Sequence, residues 1–118
     1  MKAFFERVSA DEYEGVSCIA KVEFPYAVMV KALGEPHKNG DEDYPDDDYK
    51  TDVCWGIRLI ENPEEMVVFW NYKNGPAYND GVGTIEELDY FSMWYPSEAL
   101  GNRVIAYIEG VAKGMSNE

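Results

Sequence analysis

The sequence predicts an α+β fold: an antiparallel sheet of about four or five strands, a C-terminal helix packed on it and a long acidic loop. Three observations favour this fold, namely short apolar runs separated by turn-forming residues, one segment with helical spacing near the C-terminus, and an acidic stretch between two runs. The 118 residues fit one domain, residues 1–118. Because 46% of them are hydrophobic, we expect a packed core in spite of the charge.

The first half of the chain predicts a short helical turn followed by two strands. Ser9 and Glu12 have the spacing of a helix-capping box, so a short helical turn is expected to begin near Asp11 and to end at Gly15. Residues 16–24 alternate between apolar and polar side chains, which is typical of a half-buried strand. Residues 26–33 form a second apolar run that Gly34 closes, and we interpret this run as a second strand.

The strongest strand signal is a hairpin in the second half. Residues 53–60 alternate, residues 61–65 have the composition of a turn, and residues 66–72 return as an apolar run. Turn-forming residues make the segment 73–83 irregular. The segment 84–95 is compatible with a short helix at its start and with a strand at its end, and the sequence leaves the boundary open.

The C-terminal segment predicts a helix over about residues 98–113. Ser97 follows a proline and suits the N-cap position, and Glu98 suits the positive end of the helix dipole. Leu100, Val104 and Ile108 recur at helical spacing. One face of this helix is therefore expected to pack on the sheet.

The charge balance limits the classes of partner. The chain has 23 acidic and 10 basic residues, a formal net charge of −13. Such a surplus repels nucleic acid and anionic lipid and attracts basic protein surfaces from a distance. We therefore predict a basic protein as the partner, with no direct contact to nucleic acid or membrane.

Much of this charge lies in the predicted loop, residues 34–52. Residues 40–52 hold seven carboxylates and one lysine. Carboxylates this crowded resist burial, so the segment must be solvated, metal-bound or placed against a cationic partner. On an extended chain, alternate side chains are about 6.6 Å apart on one side, a spacing that suits a surface of Lys and Arg. The predicted partner-binding residues are Asp41, Glu42, Asp43, Tyr44, Asp46, Asp47, Asp48, Tyr49 and Asp52, with Glu64 and Glu65 from the hairpin turn.

Two further acidic groups would extend this surface if the fold places them on the same side as the loop. The first is the hairpin-turn group, which consists of Glu61, Glu64 and Glu65. The second precedes the aromatic run near residue 90 and consists of Glu86, Glu87 and Asp89.

Metal binding and catalysis are the competing interpretations. An EF-hand loop starting at Asp41 would need Gly at its sixth position, where Asp46 stands, and Glu at its twelfth, where Asp52 stands. His37 is the single histidine and is expected to be exposed in the loop, and the sequence has neither a nucleophile-elbow nor a P-loop motif. We predict neither a metal nor a cofactor nor an enzyme, with a small carboxylate-dependent enzyme as the alternative.

The cysteines and the N-terminus predict a cytoplasmic protein. Cys18 and Cys54 lie in apolar runs and are expected to be buried thiols rather than a disulfide or metal ligands. The N-terminal residues contain no long apolar stretch, and no segment reaches the length of a membrane span. A monomer is expected.

With its acidic run from Asp41 to Asp52, its small size and its aromatic-rich body, the chain resembles bacterial DNA-mimic proteins, including those directed against the histone-like protein HU. The resemblance implies that carboxylates stand in for phosphates and occupy the DNA-binding surface of an HU-like protein. The chain is also similar in character to immunity proteins, in which an acidic face covers the basic active site of a nuclease toxin. The immunity function is the alternative within the binding class.

Overall fold

The computed structural model describes residues 5–8, 18–38, 51–76 and 78–116. The helical turn predicted near Asp11 lies outside these residues. The elements, in chain order, are β1 (Phe5–Arg7), β2 (Ala20–Val22), α1 (Tyr26–Leu33), β3 (His37–Lys38), β4 (Val53–Leu59), β5 (Met66–Trp70), a 3₁₀ helix (Ile85–Glu87), β6 (Phe91–Trp94) and α2 (Glu98–Ser116).

The strands form one antiparallel sheet in the order β1-β4-β5-β6-β2, and β3 also pairs with β4. The α+β fold with its C-terminal helix is confirmed, although the described sheet has six strands rather than four or five. β1 pairs with the second half of β4 and β3 with its first two residues, so both follow the same edge of β4. With three and two residues, β1 and β3 are too short to show a period in the sequence.

The strand predicted over residues 26–33 is wrong, because these residues form helix α1. The buried side chains Tyr26, Met29 and Leu33 recur at helical spacing and share one face. The helix begins after Pro25, whose fixed backbone suits a helix start, and it ends at Gly34, which has φ +90°. Val28 and Val30 made the run resemble a strand.

The predicted hairpin and the predicted C-terminal helix are both confirmed. In β4 the alternate residues Val53, Trp55 and Ile57 are buried on the face that the helices cover. Leu100, Val104 and Ile108 of α2 belong to the same core. Ser97 caps α2 as predicted, because its Oγ accepts a hydrogen bond from the Leu100 N–H at 3.3 Å.

The segment 84–95 contains both elements that the sequence allowed. The 3₁₀ helix starts with a capping box in which Thr84 N donates to Glu87 Oε1 at 3.0 Å. The strand β6 follows, with Phe91 and Met93 fully buried in the core.

A smaller apolar cluster lies on the other face of the sheet and includes Val8, Cys54 and Val68. Cys54 is a buried thiol, as predicted. Cys18 is exposed, contrary to the prediction, because it precedes the short strand β2 and its side chain does not reach a core face. Among the described residues, no helix combines the length and the hydropathy that crossing a membrane requires.

Helix α2 packs against Tyr95, the residue directly after β6. This packing predicts that alanine substitutions at two glycines of the helix change stability in opposite directions. A Cβ at Gly101 would lie 2.9 Å from two ring carbons of Tyr95, whereas a Cβ at Gly110 would meet nothing within 4 Å. We expect Gly101→Ala to lower the free energy of unfolding by about 1–2 kcal/mol, since the clash exceeds the gain in helix propensity. Gly110→Ala should raise it by about 0.5–1 kcal/mol. Urea denaturation of both variants measures this difference, and a stabilised Gly101→Ala protein would contradict the packing described.

Candidate partner-binding surface

The predicted acidic loop is tied to the sheet at both ends. Residues 39–50 lie outside the described part, and with them Asp41, Glu42, Asp43, Tyr44, Asp46, Asp47, Asp48 and Tyr49. Lys38 of β3 and Val53 of β4 are register partners, so the intervening chain leaves and re-enters the sheet at adjacent positions. His37, predicted to be exposed in a loop, is instead half-buried in β3 and pairs with Cys54. The sequence did not reveal this strand, because two residues are too few to show an alternating pattern.

Asp52, the last predicted residue of the loop, is held by a buried asparagine. Asn71 is 0% exposed, and its Oδ1 accepts hydrogen bonds from the Asp52 N–H at 2.8 Å and the Val53 N–H at 2.9 Å. Its Nδ2 donates to Asp52 Oδ2 at 2.9 Å. We call this arrangement of Asn71 with Asp52 and Val53 the Asn71 clamp. It fixes the point at which the acidic segment joins β4.

The clamp needs the glycine at position 75. A Cβ there would lie 2.1 Å from Asp52 Oδ2 and 2.7 Å from Asn71 Nδ2. Only a residue without a side chain lets the 73–76 turn approach the clamp this closely.

Glu64 and Glu65 are separated from the loop by the length of β4. They lie in the turn between β4 and β5, whereas Asp52 precedes the first residue of β4. At about 3.3 Å per residue, the ends of the seven-residue strand Val53–Leu59 are about 20 Å apart. The turn also carries its own counter-charge, because Arg103 Nη1 lies 2.9 Å from Glu61 Oε1. The hairpin-turn group therefore does not extend the surface around Asp52.

The second acidic group lies at the same end of the sheet as Asp52. Trp70 pairs with Cys54 on one side and with Ser92 on the other, so the start of β4, the end of β5 and the start of β6 lie together. The group comes directly before β6. We call this end, with Asp52, Glu86, Glu87 and Asp89, the acidic end of the sheet.

Tyr26 lies beside this end, a position that the sequence did not indicate because the residue was assigned to a strand. Its backbone N–H donates to the carbonyl of Leu88 at 2.8 Å, which joins the start of α1 to the chain after the 3₁₀ helix. Its ring lies 6.1 Å from the ring of Trp55, and Trp55 Nε1 donates to the Gly34 carbonyl at 2.8 Å. Burial, together with the negative charges of Glu35 and Glu86, raises the pKa of Tyr26.

Two arginines of the sheet bind other groups, while Lys21 of β2 lies 5.8 Å from the ring centre of Tyr90, the residue after Asp89. Arg58 Nε lies 2.7 Å from Glu6 Oε1, between β4 and β1. Arg7 Nη1 donates to the Leu33 carbonyl at 3.0 Å and also to the Glu35 carbonyl, at the C-terminal end of α1. Within the described part of the chain, the side chains of Glu35, Glu86 and Asp89 form no ion pair. No group of three or more metal-ligating side chains occurs in that part either.

A scan against protein-family models, a search of curated proteins and a search of solved structures each returned no match. The geometry and charge of the acidic end are therefore the basis for a functional proposal.

Proposed function

We propose that the protein is a DNA mimic that binds a basic DNA-binding protein of the HU type through its acidic end. The observation that carries the proposal is the placement of both ends of the acidic segment beside a second acidic group. Lys38 and Val53 are paired, the Asn71 clamp holds Asp52, and Glu86 and Asp89 lie at the same end of the sheet. Asp52 and the second acidic group, which are distant in the sequence, thus lie at the same end of the sheet.

Concentrated charge of one sign favours the proposed partner in two ways. It accelerates the approach of a basic surface, and it allows carboxylates to occupy the Lys and Arg side chains that otherwise bind phosphates. The anchoring also matters, because fixed chain ends limit the conformations that binding must order. The protein and DNA would then compete for one surface, and the strength of both complexes would fall with salt.

Displacement of a labelled DNA duplex from a purified HU-like protein tests this proposal. We expect the wild-type chain to displace the duplex at low salt, and the variant Asp46→Asn/Asp47→Asn/Asp48→Asn to need about tenfold or more higher concentration. The fold should be retained, since removing like charges reduces self-repulsion. Circular dichroism and thermal melting verify the fold of each variant.

The control removes two carboxylates at the remote end of β4, one fewer than the triple variant. We expect Glu64→Gln/Glu65→Gln to change the displacement by about twofold or less, because screened charges about 20 Å from the contact contribute little. Equal losses in the two variants would indicate a general charge effect and contradict a surface at the acidic end. Failure to displace DNA, with inhibition of a basic nuclease toxin instead, would replace this proposal with the immunity function.

A further inference from the structure

The connection between β5 and β6 carries most of the large apolar side chains that are exposed. Among the described residues, six such side chains are exposed, and four of them lie in this connection: Tyr72, Tyr78, Val82 and Tyr90. Single exposed apolar side chains are common on protein surfaces, whereas several in one place mark a surface of interaction. The connection is therefore a candidate for a contact with another molecule.

Two of these side chains, Tyr72 and Tyr78, lie around one ammonium group. Lys73 Nζ is 5.3 Å from the centre of the Tyr72 ring and 5.6 Å from the centre of the Tyr78 ring. Both distances are within the range of a cation–π contact, so the lysine joins the two rings. The rings remain accessible, because Tyr72 is 45% and Tyr78 is 40% exposed. We call Tyr72 and Tyr78 the tyrosine pair.

The backbone places the tyrosine pair at the acidic end of the sheet. Tyr72 directly follows the asparagine of the Asn71 clamp. Asn79, which follows Tyr78, donates its backbone N–H at 3.2 Å and its Nδ2 at 2.9 Å to the Gly75 carbonyl. Gly75 is the residue that packs against Asp52. The tyrosine pair is thus held beside the point where the acidic segment joins β4.

Carboxylates outnumber cations in this connection. Residues 71–90 contain one cation, Lys73, and four exposed carboxylates, which are Asp80, Glu86, Glu87 and Asp89. An apolar centre with a charged, solvated rim is typical of a protein–protein contact, and tyrosine is among the residues that carry most of the binding energy in such contacts. The negative sign of the rim favours a basic partner.

We propose that the tyrosine pair receives an apolar side chain that projects from the DNA-binding surface of the basic partner. This inference rests on the proposed function and deepens it, because it adds a contact that does not depend on charge. Architectural DNA-binding proteins, the HU type among them, insert an apolar side chain between base pairs. On DNA this side chain is covered by the aromatic faces of the bases. Carboxylates alone would leave it in water, whereas the tyrosine pair supplies aromatic surface beside them.

Binding of the fluorescently labelled full chain to a purified HU-like protein, measured by anisotropy over a range of salt concentrations, tests the inference. Apolar contacts depend little on salt, whereas contacts between carboxylates and basic side chains weaken as salt rises. We expect Tyr72→Ala/Tyr78→Ala to weaken the complex by about tenfold or more at every salt concentration. Tyr72→Phe/Tyr78→Phe retains both rings and should change the affinity by about twofold or less.

The control for exposure alone is Ile60→Ala. Ile60 is 53% exposed and directly follows β4, at the end of this strand that is remote from Asp52. We expect this variant to change the affinity by about twofold or less at every salt concentration.

A second measurement changes the partner instead of the chain. In this partner variant, alanine replaces the apolar residue that the HU-like protein inserts into DNA. The wild-type chain should bind the partner variant about fivefold or more weakly than the unmodified partner. Against the partner variant, Tyr72→Ala/Tyr78→Ala should lose less than about twofold more, because the two side chains form one contact.

The outcomes separate this inference from the proposed function. If Tyr72→Ala/Tyr78→Ala is folded and binds as the wild type does, while the wild type still displaces DNA, the inference is overturned and the proposed function stands. Equal losses for this variant against both forms of the partner would also overturn it, because the tyrosines would then contact some other group. If the wild type does not bind the HU-like protein at low salt, the proposed function fails and the inference with it.

Discussion

Replacing Asn71 with Ala is expected to lower the free energy of unfolding by about 3–4 kcal/mol, a large share of the stability of a domain of this size. The side chain is fully buried and makes three hydrogen bonds, two from backbone N–H groups and one to a carboxylate. Truncation leaves the Asp52 and Val53 N–H groups without their acceptor and opens a small cavity. Urea denaturation followed by far-UV circular dichroism measures the change.

Asn74→Ala provides the matched control for the clamp. Asn74 is half-buried, and its Nδ2 makes one hydrogen bond, to the Tyr90 carbonyl at 3.2 Å. We expect this variant to lose about 1 kcal/mol or less. Similar losses in the two variants would mean that the Asn71 clamp contributes little, and that the end of the acidic segment is held by other contacts.

The clamp also connects stability to the proposed binding. At a temperature where Asn71→Ala is still folded, Asp52 and the start of β4 should be less restrained, so docking would order more of the chain. We therefore expect the variant to displace DNA from an HU-like protein less effectively than the wild type under the same conditions.

Which parts of the fold the sequence could predict depended on the length of each element. The alternation of Val53, Trp55 and Ile57 was sufficient for β4, and the helical spacing in α2 spanned enough turns to be clear. Helix α1 has only eight residues, so its helical period could not be distinguished from the continuous apolar run of a buried strand. Its N-terminus lacks a side-chain cap that would have marked it.

The sequence was sufficient to predict the part of the site in which acidic residues are contiguous. It was not sufficient for the part that the fold brings together from distant residues. The acidic loop is visible in the sequence, and the separation of Glu64 from Asp52 follows from the strand predicted between them. In contrast, Tyr26 meets the chain beside the second acidic group, at Leu88, only because α1 packs against the 3₁₀ helix. A contact across more than 50 residues of chain leaves no local pattern.

Trp55→Phe is the second change for which we expect a large loss, about 2–4 kcal/mol. Trp55 is 0% exposed, packs edge-on against Phe91 with ring centroids 5.3 Å apart, and donates its indole N–H to Gly34 at 2.8 Å. Phenylalanine fills less of this space and cannot replace the hydrogen bond that holds the end of α1. Thermal and urea denaturation measure the loss.

Trp94→Phe is the control, since Trp94 is half-buried on the opposite face of the sheet and should lose less than half as much. An equal or greater loss in Trp94→Phe would show that the smaller cluster, rather than the core under the helices, dominates stability.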